Sequence, residues 1–209
     1  GAVAPAEFTQ WLSPRIAAVS AAQVDALRAA FGRLTLSGAI GALFAGVATG
    51  AELSPRRFVE RATRALSDAH GAALGDALED AALFLFSAMA LAQAHCDEAA
   101  TFSVARPTAV AALCTYCSRD HADVAALVFS SFDADHNGSM EFGEVAKFLR
   151  ILFAVEFGMR PPYTHNALVA ADATAQRMGR AMAKHMCVMR TMEQRMLSAA
   201  AARCASPLA

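Results

Sequence analysis

Residues 133–144 form a polar segment rich in oxygen-bearing side chains, which reads Asp133-Ala134-Asp135-His136-Asn137-Gly138-Ser139-Met140-Glu141-Phe142-Gly143-Glu144. Asp133, Asp135 and Asn137 alternate along the segment, so their side chains can point to one centre. Gly138 follows where a sharp turn needs a positive φ, which glycine adopts without steric cost. Ser139 can offer its backbone carbonyl, Glu141 can bind through a water, and Glu144 can supply two oxygens. This spacing suits a hard cation with about six to eight oxygen ligands, and the bidentate glutamate favours Ca²⁺ over Mg²⁺.

The helical patterns on either side of this segment carry matching apolar faces. The preceding face holds Val124, Val128, Phe129 and Phe132, and the following face holds Val145, Phe148, Leu149 and Leu152. Loop and flanks together resemble an EF-hand, because the segment matches D-x-[DN]-x-[DN]-G-x₅-E at every defined position. The resemblance covers residues 124–152. It implies Ca²⁺ as the bound ion, with Asp133, Asp135, Asn137, Ser139, Glu141 and Glu144 as its ligands.

EF-hands usually occur in pairs, and family spacing places the partner of the intact hand at residues 97–108. Val104 then falls at the β-bridge position opposite Met140, which stands where the family usually has Ile, Val or Leu. The expected ligand positions hold Ala99, Thr101 and Thr108, and Phe102 replaces the turn glycine. We interpret 97–108 as a degenerate hand that packs without binding metal; an unrelated helix–loop–helix is the alternative.

Further upstream, residues 52–58 are similar to the exit half of another hand, without its carboxylates. A four-hand ancestry like that of calmodulin or the calcineurin-B relatives is therefore one interpretation. It divides the chain into an N-terminal helical region at 1–72, which is a possible degenerate EF-hand pair, an EF-hand pair at 73–158, and a C-terminal Met-rich helix at 164–205.

The sequence predicts an all-α fold, because no segment shows sustained alternation of β-branched and aromatic residues. Ser20 is a candidate N-cap for a helix ending at Phe31, and Pro55 is a candidate first residue of a helix to His70. The other predicted helices span 36–47, 74–95, 107–117, 121–132, 142–157 and 166–203.

Composition limits the function classes. Of 209 residues, 56% are hydrophobic and 18% are charged, with a net charge of −1. Such a chain is too apolar for intrinsic disorder and has no basic field for nucleic acid. The charge-free stretches 34–51 and 81–96 are diluted or short against the ~20 apolar residues of a membrane span. We interpret them as buried helices, with any membrane contact only indirect or through a complex.

The C-terminal segment carries a methionine stripe at helical spacing. Its members are Met178, Met182, Met186, Met189, Met192 and Met196, while arginines and Lys184 lie mostly on other faces. Methionine fills irregular apolar grooves, and a basic amphipathic helix resembles the targets of EF-hand grooves. Helix 166–203 could therefore dock on the protein itself, dock on a partner protein, or form a core seam with neighbouring helices.

Other residues offer weaker chemistry. Cys114 and Cys117 with His121 could be three zinc ligands, but a lone Cys-x-x-Cys on a helix is more typical of structural cysteines. No nucleophile–base set or phosphate loop is suggested by spacing, so we expect a non-enzyme. The five cysteines are odd in number and loosely spaced, which is not typical of a disulfide framework and favours a reducing, intracellular location. Because the chain begins at Gly1, it could be an organelle protein after removal of a targeting peptide.

Two roles agree with a calcium-binding, all-helical chain. In the first, the protein is a non-catalytic accessory or structural subunit of a larger assembly, in contact with one or more protein partners. In the second, it is a Ca²⁺ sensor that regulates a partner through a hydrophobic groove. The single competent loop and the low charge favour the first.

Overall fold

The computed structural model describes residues 18–70, 76–96, 102–117 and 120–159, together with Thr174, Arg177 and Met178. Within these residues the protein is all-helical, with seven helices and no strands. The helices are α1 (Ala21–Phe31), α2 (Leu36–Leu43), α3 (Pro55–His70), α4 (Asp76–Cys96), α5 (Arg106–Leu113), α6 (His121–Phe132) and α7 (Phe142–Gly158). The predicted all-α class is confirmed for this part of the chain.

Local signals set most helix ends. The Ser20 side chain accepts a hydrogen bond from the Gln23 backbone N–H at the start of α1, as its N-cap position predicts. The helix predicted for 36–47 ends earlier, at Leu43, and Gly46 then adopts a φ of +65° that leaves the right-handed helical region. The predicted helix 166–203 lies outside the described residues, apart from the three named above.

Six of the helices form three helix–loop–helix units: α2–α3, α4–α5 and α6–α7. An antiparallel bridge joins the loops of the first two units at Leu53 and Val104. The Leu53 N–H donates to the Val104 carbonyl at 2.9 Å, and the Val104 N–H donates to the Leu53 carbonyl at 3.0 Å. The expected pairing of Val104 with Met140 is therefore wrong, because Leu53 engages both backbone groups of Val104.

Helix α4 lies at the centre of the fold. It contacts α1, α3, α5 and α7, and every residue from 81 to 90 is buried. The charge-free stretch 81–96 lies in this helix, and its interpretation as buried is confirmed for residues 81–90, whereas Ala94 and His95 are exposed. Among the described helices, none combines the length and the apolar content that a membrane span needs.

The third unit packs on the other two through both of its helices. Helix α7 contacts α4 and α5, and it buries Leu149, Ile151 and Val155. Helix α6 contacts α2 and α5. One cluster of buried apolar residues extends from Val19 to Met159, so it crosses the boundary predicted at residues 72 and 73, as the Leu53–Val104 bridge does. The division into three regions stays a prediction.

A polar cluster joins the first helix to the last one described. Arg28 on α1 donates to Glu156 on α7 at 2.9 Å and to the Tyr116 hydroxyl at 3.3 Å. The guanidinium carbon also lies 4.6 Å from the centre of the Tyr116 ring, within reach of a cation–π contact. Thr115 donates to the other Glu156 oxygen at 2.5 Å. These contacts hold α7 to elements on both sides of the core.

We expect Arg28→Ala to lower the free energy of unfolding by about 1 kcal/mol, because a half-exposed ion pair and a cation–π contact are lost together. Arg64→Ala is the matched control, since the Arg64–Glu60 pair is a single, well-exposed contact within α3. It should cost at most about 0.5 kcal/mol. Urea unfolding of both variants measures the difference, and equal losses would contradict a special role for Arg28.

Candidate metal centre

The candidate metal centre lies in the loop between α6 and α7. Asp133 follows the last residue of α6 and is buried, at 6% exposure. Glu144 lies in the first turn of α7. The Phe132 and Phe148 rings meet edge to face, 5.3 Å between centres, and thereby join the two helices close to the loop.

Three carboxylates converge in this loop. Asp133, Asp135 and Glu144 each offer one oxygen, and these oxygens lie within 4.8 Å of one another. Two oxygens bound to one Ca²⁺ at about 2.4 Å can be at most about 4.8 Å apart. The separation therefore fits a shared cation, and the cluster could hold a metal ion.

Backbone N–H groups hold two of these carboxylates in place. Asp133 accepts hydrogen bonds from the backbone of Asn137 and Gly138, each at 3.1 Å. Glu144 accepts from Ala134 at 2.8 Å through one oxygen and from Glu141 at 2.9 Å through the other. The two side chains thus tie the start of the loop to its middle and to its end, which fixes the positions of the acidic oxygens.

The turn in the loop depends on two left-handed residues. Gly138 has a φ of +77°, as its place in the sequence predicts. His136 has a φ of +54°, which costs a side-chain-bearing residue more than glycine. The chain can therefore reverse tightly enough to bring Gly138 N–H onto Asp133.

The remaining predicted ligands lie beside the carboxylates. Asn137 donates from its side chain to Asp135 at 2.7 Å, and its own side-chain oxygen accepts from the Ser139 backbone at 2.8 Å. Glu141 is exposed, and its carboxylate is not one of the three that converge. An outer position suits the water-mediated role expected of this residue.

Hydrogen bonding favours the charged form of Asp135. Desolvation is the largest single influence and acts to raise the pKa of Asp135, but hydrogen bonds, above all those from the backbone and side chain of Asn137, together outweigh it and hold that pKa below its usual value. The loop is therefore built to keep this carboxylate ionised.

The second unit has a neutral side chain where the third has a glutamate. Thr108 holds the position that corresponds to Glu144, and Ala105 the one that corresponds to Glu141. The Ala105 N–H donates at 2.8 Å to the side-chain oxygen of Gln93, which also accepts from the Thr108 hydroxyl at 2.8 Å. Gln93 on α4 therefore accepts in this loop the backbone hydrogen bond that corresponds to the one Glu144 accepts from Glu141 in the third unit.

The same glutamine connects the second unit to the first. Its side-chain amide donates at 2.9 Å to Glu52, whose other carboxylate oxygen accepts from the Ser103 hydroxyl. Glu52 precedes Leu53 of the bridge, so these contacts reinforce the Leu53–Val104 pairing. The hydrogen bonds are compatible with the predicted loop that packs without metal, although residues 97–101 of the segment predicted for it lie outside the described residues.

The cysteine alternative finds no support in the described residues. Cys114 and Cys117 are free thiols, and no group of three metal-binding side chains includes them there. Burial raises the pKa of each thiol to about 12, as expected of cysteines that pack as small apolar side chains. The geometry fits structural cysteines.

Gln93 and Arg28 are the residues that the sequence analysis missed. A lone amide within the apolar stretch 81–96 was a usable signal for Gln93, because a buried polar side chain requires partners. Comparison with known proteins adds no assignment: neither a scan of family models nor searches of curated proteins and solved structures give a match.

We expect Gln93→Leu to destabilise the protein by about 2–3 kcal/mol, because it leaves the Thr108 hydroxyl and the Ala105 N–H without this acceptor. Ser87→Ala is the matched control on α4. Ser87 is also buried, but its hydroxyl donates only within the helix, to the Leu83 carbonyl. It should cost less than about 1 kcal/mol. Denaturant unfolding measures the loss of stability in both variants. Equally small losses would contradict a stabilising role for the hydrogen bonds of Gln93.

Proposed function

We propose that the loop at 133–144 binds one Ca²⁺ and that the protein is a non-catalytic accessory subunit of a larger assembly. The observation that carries the calcium proposal is the convergence of Asp133, Asp135 and Glu144 to within 4.8 Å. Like charges at this distance repel one another, and a divalent cation removes that repulsion.

The hydrogen bonds of the loop are compatible with ion binding. Each carboxylate oxygen has two lone pairs, so an oxygen that accepts one backbone N–H keeps a second position. The N–H groups on Asp133 and Glu144 therefore orient both side chains without consuming their capacity. When bound, Ca²⁺ would supply two positive charges to a loop that has four carboxylates in twelve residues.

The packing of α7 favours a stabilising ion over a switch. Leu149, Ile151 and Val155 are buried in the common core, and Glu156 pairs with Arg28. A sensor helix must swing on binding, and here such a swing would have to break these contacts. This supports an ion that stiffens the loop in a subunit whose helices stay in place.

An exposed aromatic ring supports a protein partner. Phe142 at the start of α7 is 53% exposed, although the same helix buries Leu149, Ile151 and Val155 in the core. Partners commonly bury such rings as anchors. The same ring favours the alternative function, a Ca²⁺ sensor that presents an apolar surface to a partner protein.

We expect one Ca²⁺ site by calorimetric titration, and an affinity at least about 100-fold lower in Glu144→Gln. Asp123→Asn is the matched control, because it removes one negative charge from the same unit outside the loop. Its affinity should change less than about threefold, through weak screened attraction alone. Full affinity in Glu144→Gln would contradict the site.

The accessory role predicts that Ca²⁺ raises the melting temperature of the unaltered protein but leaves its binding of a hydrophobic dye unchanged. Linkage stabilises a folded state that binds the ion, and fixed helices expose no new apolar surface. Thermal melts and dye fluorescence, with and without Ca²⁺, measure the two effects. A clear rise in dye fluorescence would instead support the sensor function.

A further inference from the structure

The outer side of α6 is an apolar stripe. Ala122, Ala125, Ala126 and Phe129 are all exposed, and their spacing places them on one side of the helix. No charged residue lies among them. Exposed helix faces in soluble domains normally carry charges, so this stripe, called here the outer face of α6, is an unusual surface.

The inner side of the same helix already has packing partners. Val124, Leu127 and Val128 are partly buried against the common core, and on α7 Phe148, Phe153 and Phe157 are as well. An additional helix therefore meets fewer existing contacts on the outer face of α6 than on its inner side.

The C-terminal methionine stripe has a spacing that suits this face. Met182, Met186, Met189, Met192 and Met196 recur every three or four residues, so they would share one side of a helix. The eight residues from Ala122 to Phe129 extend about 12 Å, and Met186 to Met192 would extend about 10 Å in a helix, so the face can cover these three central methionines. Long, flexible methionine side chains fit well against a flat surface of alanines.

Charge also matches the two segments. Residues 120–159, which contain the third unit, have seven acidic and two basic residues, for a formal charge of −5. Residues 160–209 have seven basic and two acidic residues, for a formal charge of +5. Opposite charges of this size favour association of the two segments and disfavour association of the basic segment with other basic surfaces.

The connection is long enough for contact within one chain. Helix α7 spans about 25 Å, and the 22 residues between Met159 and Met182 span about 33 Å even if all of them are helical. The C-terminal segment can therefore return from the end of α7 to any surface of the third unit. Tethering raises its effective concentration far above that of a free partner.

We propose that residues 182–196 dock as a helix on the outer face of α6 in the same chain. The methionines bury Ala122, Ala125, Ala126 and Phe129, and the arginines remain near the acidic ends of α6. This contact does not require the metal ion, so it goes beyond the proposed calcium function. The protein would thus cover its own apolar face.

Methionine oxidation by dilute peroxide, mapped residue by residue by mass spectrometry, tests the contact in the full chain. Met178 is 42% exposed and serves as the fast reference, while Met159 is 1% exposed and serves as the slow one. We expect Met186, Met189 and Met192 to oxidise at least about fivefold more slowly than Met178, because burial protects the sulfur.

A matched pair of variants identifies the protecting surface. Ala125→Lys places a positive charge on the outer face of α6, where it would repel the basic segment and resist burial. It should bring the three methionines to within about twofold of the Met178 rate. Ala26→Lys makes the same change on an exposed position of α1 and should leave them slow. Circular dichroism and continued slow oxidation of Met159 check that both variants fold.

Several outcomes would overturn the proposal. Methionines at 186–192 that oxidise as fast as Met178 in the unaltered protein would show that nothing covers them. Protection that survives Ala125→Lys in a folded variant would place the segment on another surface. Protection that disappears on dilution would identify a second copy of the chain as the occupant.

Discussion

The fold depends on the burial of α4. Residues 81–90 of this helix are buried on all sides, and α1, α3, α5 and α7 pack around it. A helix this apolar is stable in water only if other elements cover its whole circumference. The helices that cover α4 also carry the ends of the loops, the Leu53–Val104 bridge and the acidic segment. The packing of these helices on α4 therefore determines where the loops lie.

Two loops of similar construction supply a hydrogen-bond acceptor for the backbone N–H at the start of the following helix in different ways. In the second unit, neutral Gln93 accepts hydrogen bonds from Ala105 and Thr108 and donates one to Glu52, which links the loops of the first two units. In the third unit, Glu144 takes the corresponding role with a full negative charge, beside Asp133 and Asp135. The first arrangement satisfies these groups with a neutral side chain, whereas the second brings together carboxylates that could hold a metal ion.

Local patterns predicted a large part of this structure. The bounds of α6 matched those expected, the Ser20 cap and the Pro55 start were found as expected, and Gly138 has its positive φ. The convergence of Asp133, Asp135 and Glu144 follows from spacing within twelve residues. Each of these features depends on interactions between residues only a few positions apart. Helical periodicity and turn residues in the sequence indicate such local interactions directly.

Contacts between distant segments could not be derived in the same way. The sequence predicted Met140 as the bridge partner of Val104, whereas the structure pairs Val104 with Leu53, and that choice rests on how the helices pack around α4. The Arg28–Glu156 pair and the hydrogen bond from Gln93 to Glu52 likewise join residues far apart in the chain. The amino-acid sequence by itself determined the helices and the acidic loop, because short-range sterics and hydrogen bonding define them. Only the tertiary structure decided which loops pair and which polar groups meet, because burial of the central helix selects one arrangement from many that the local patterns allow.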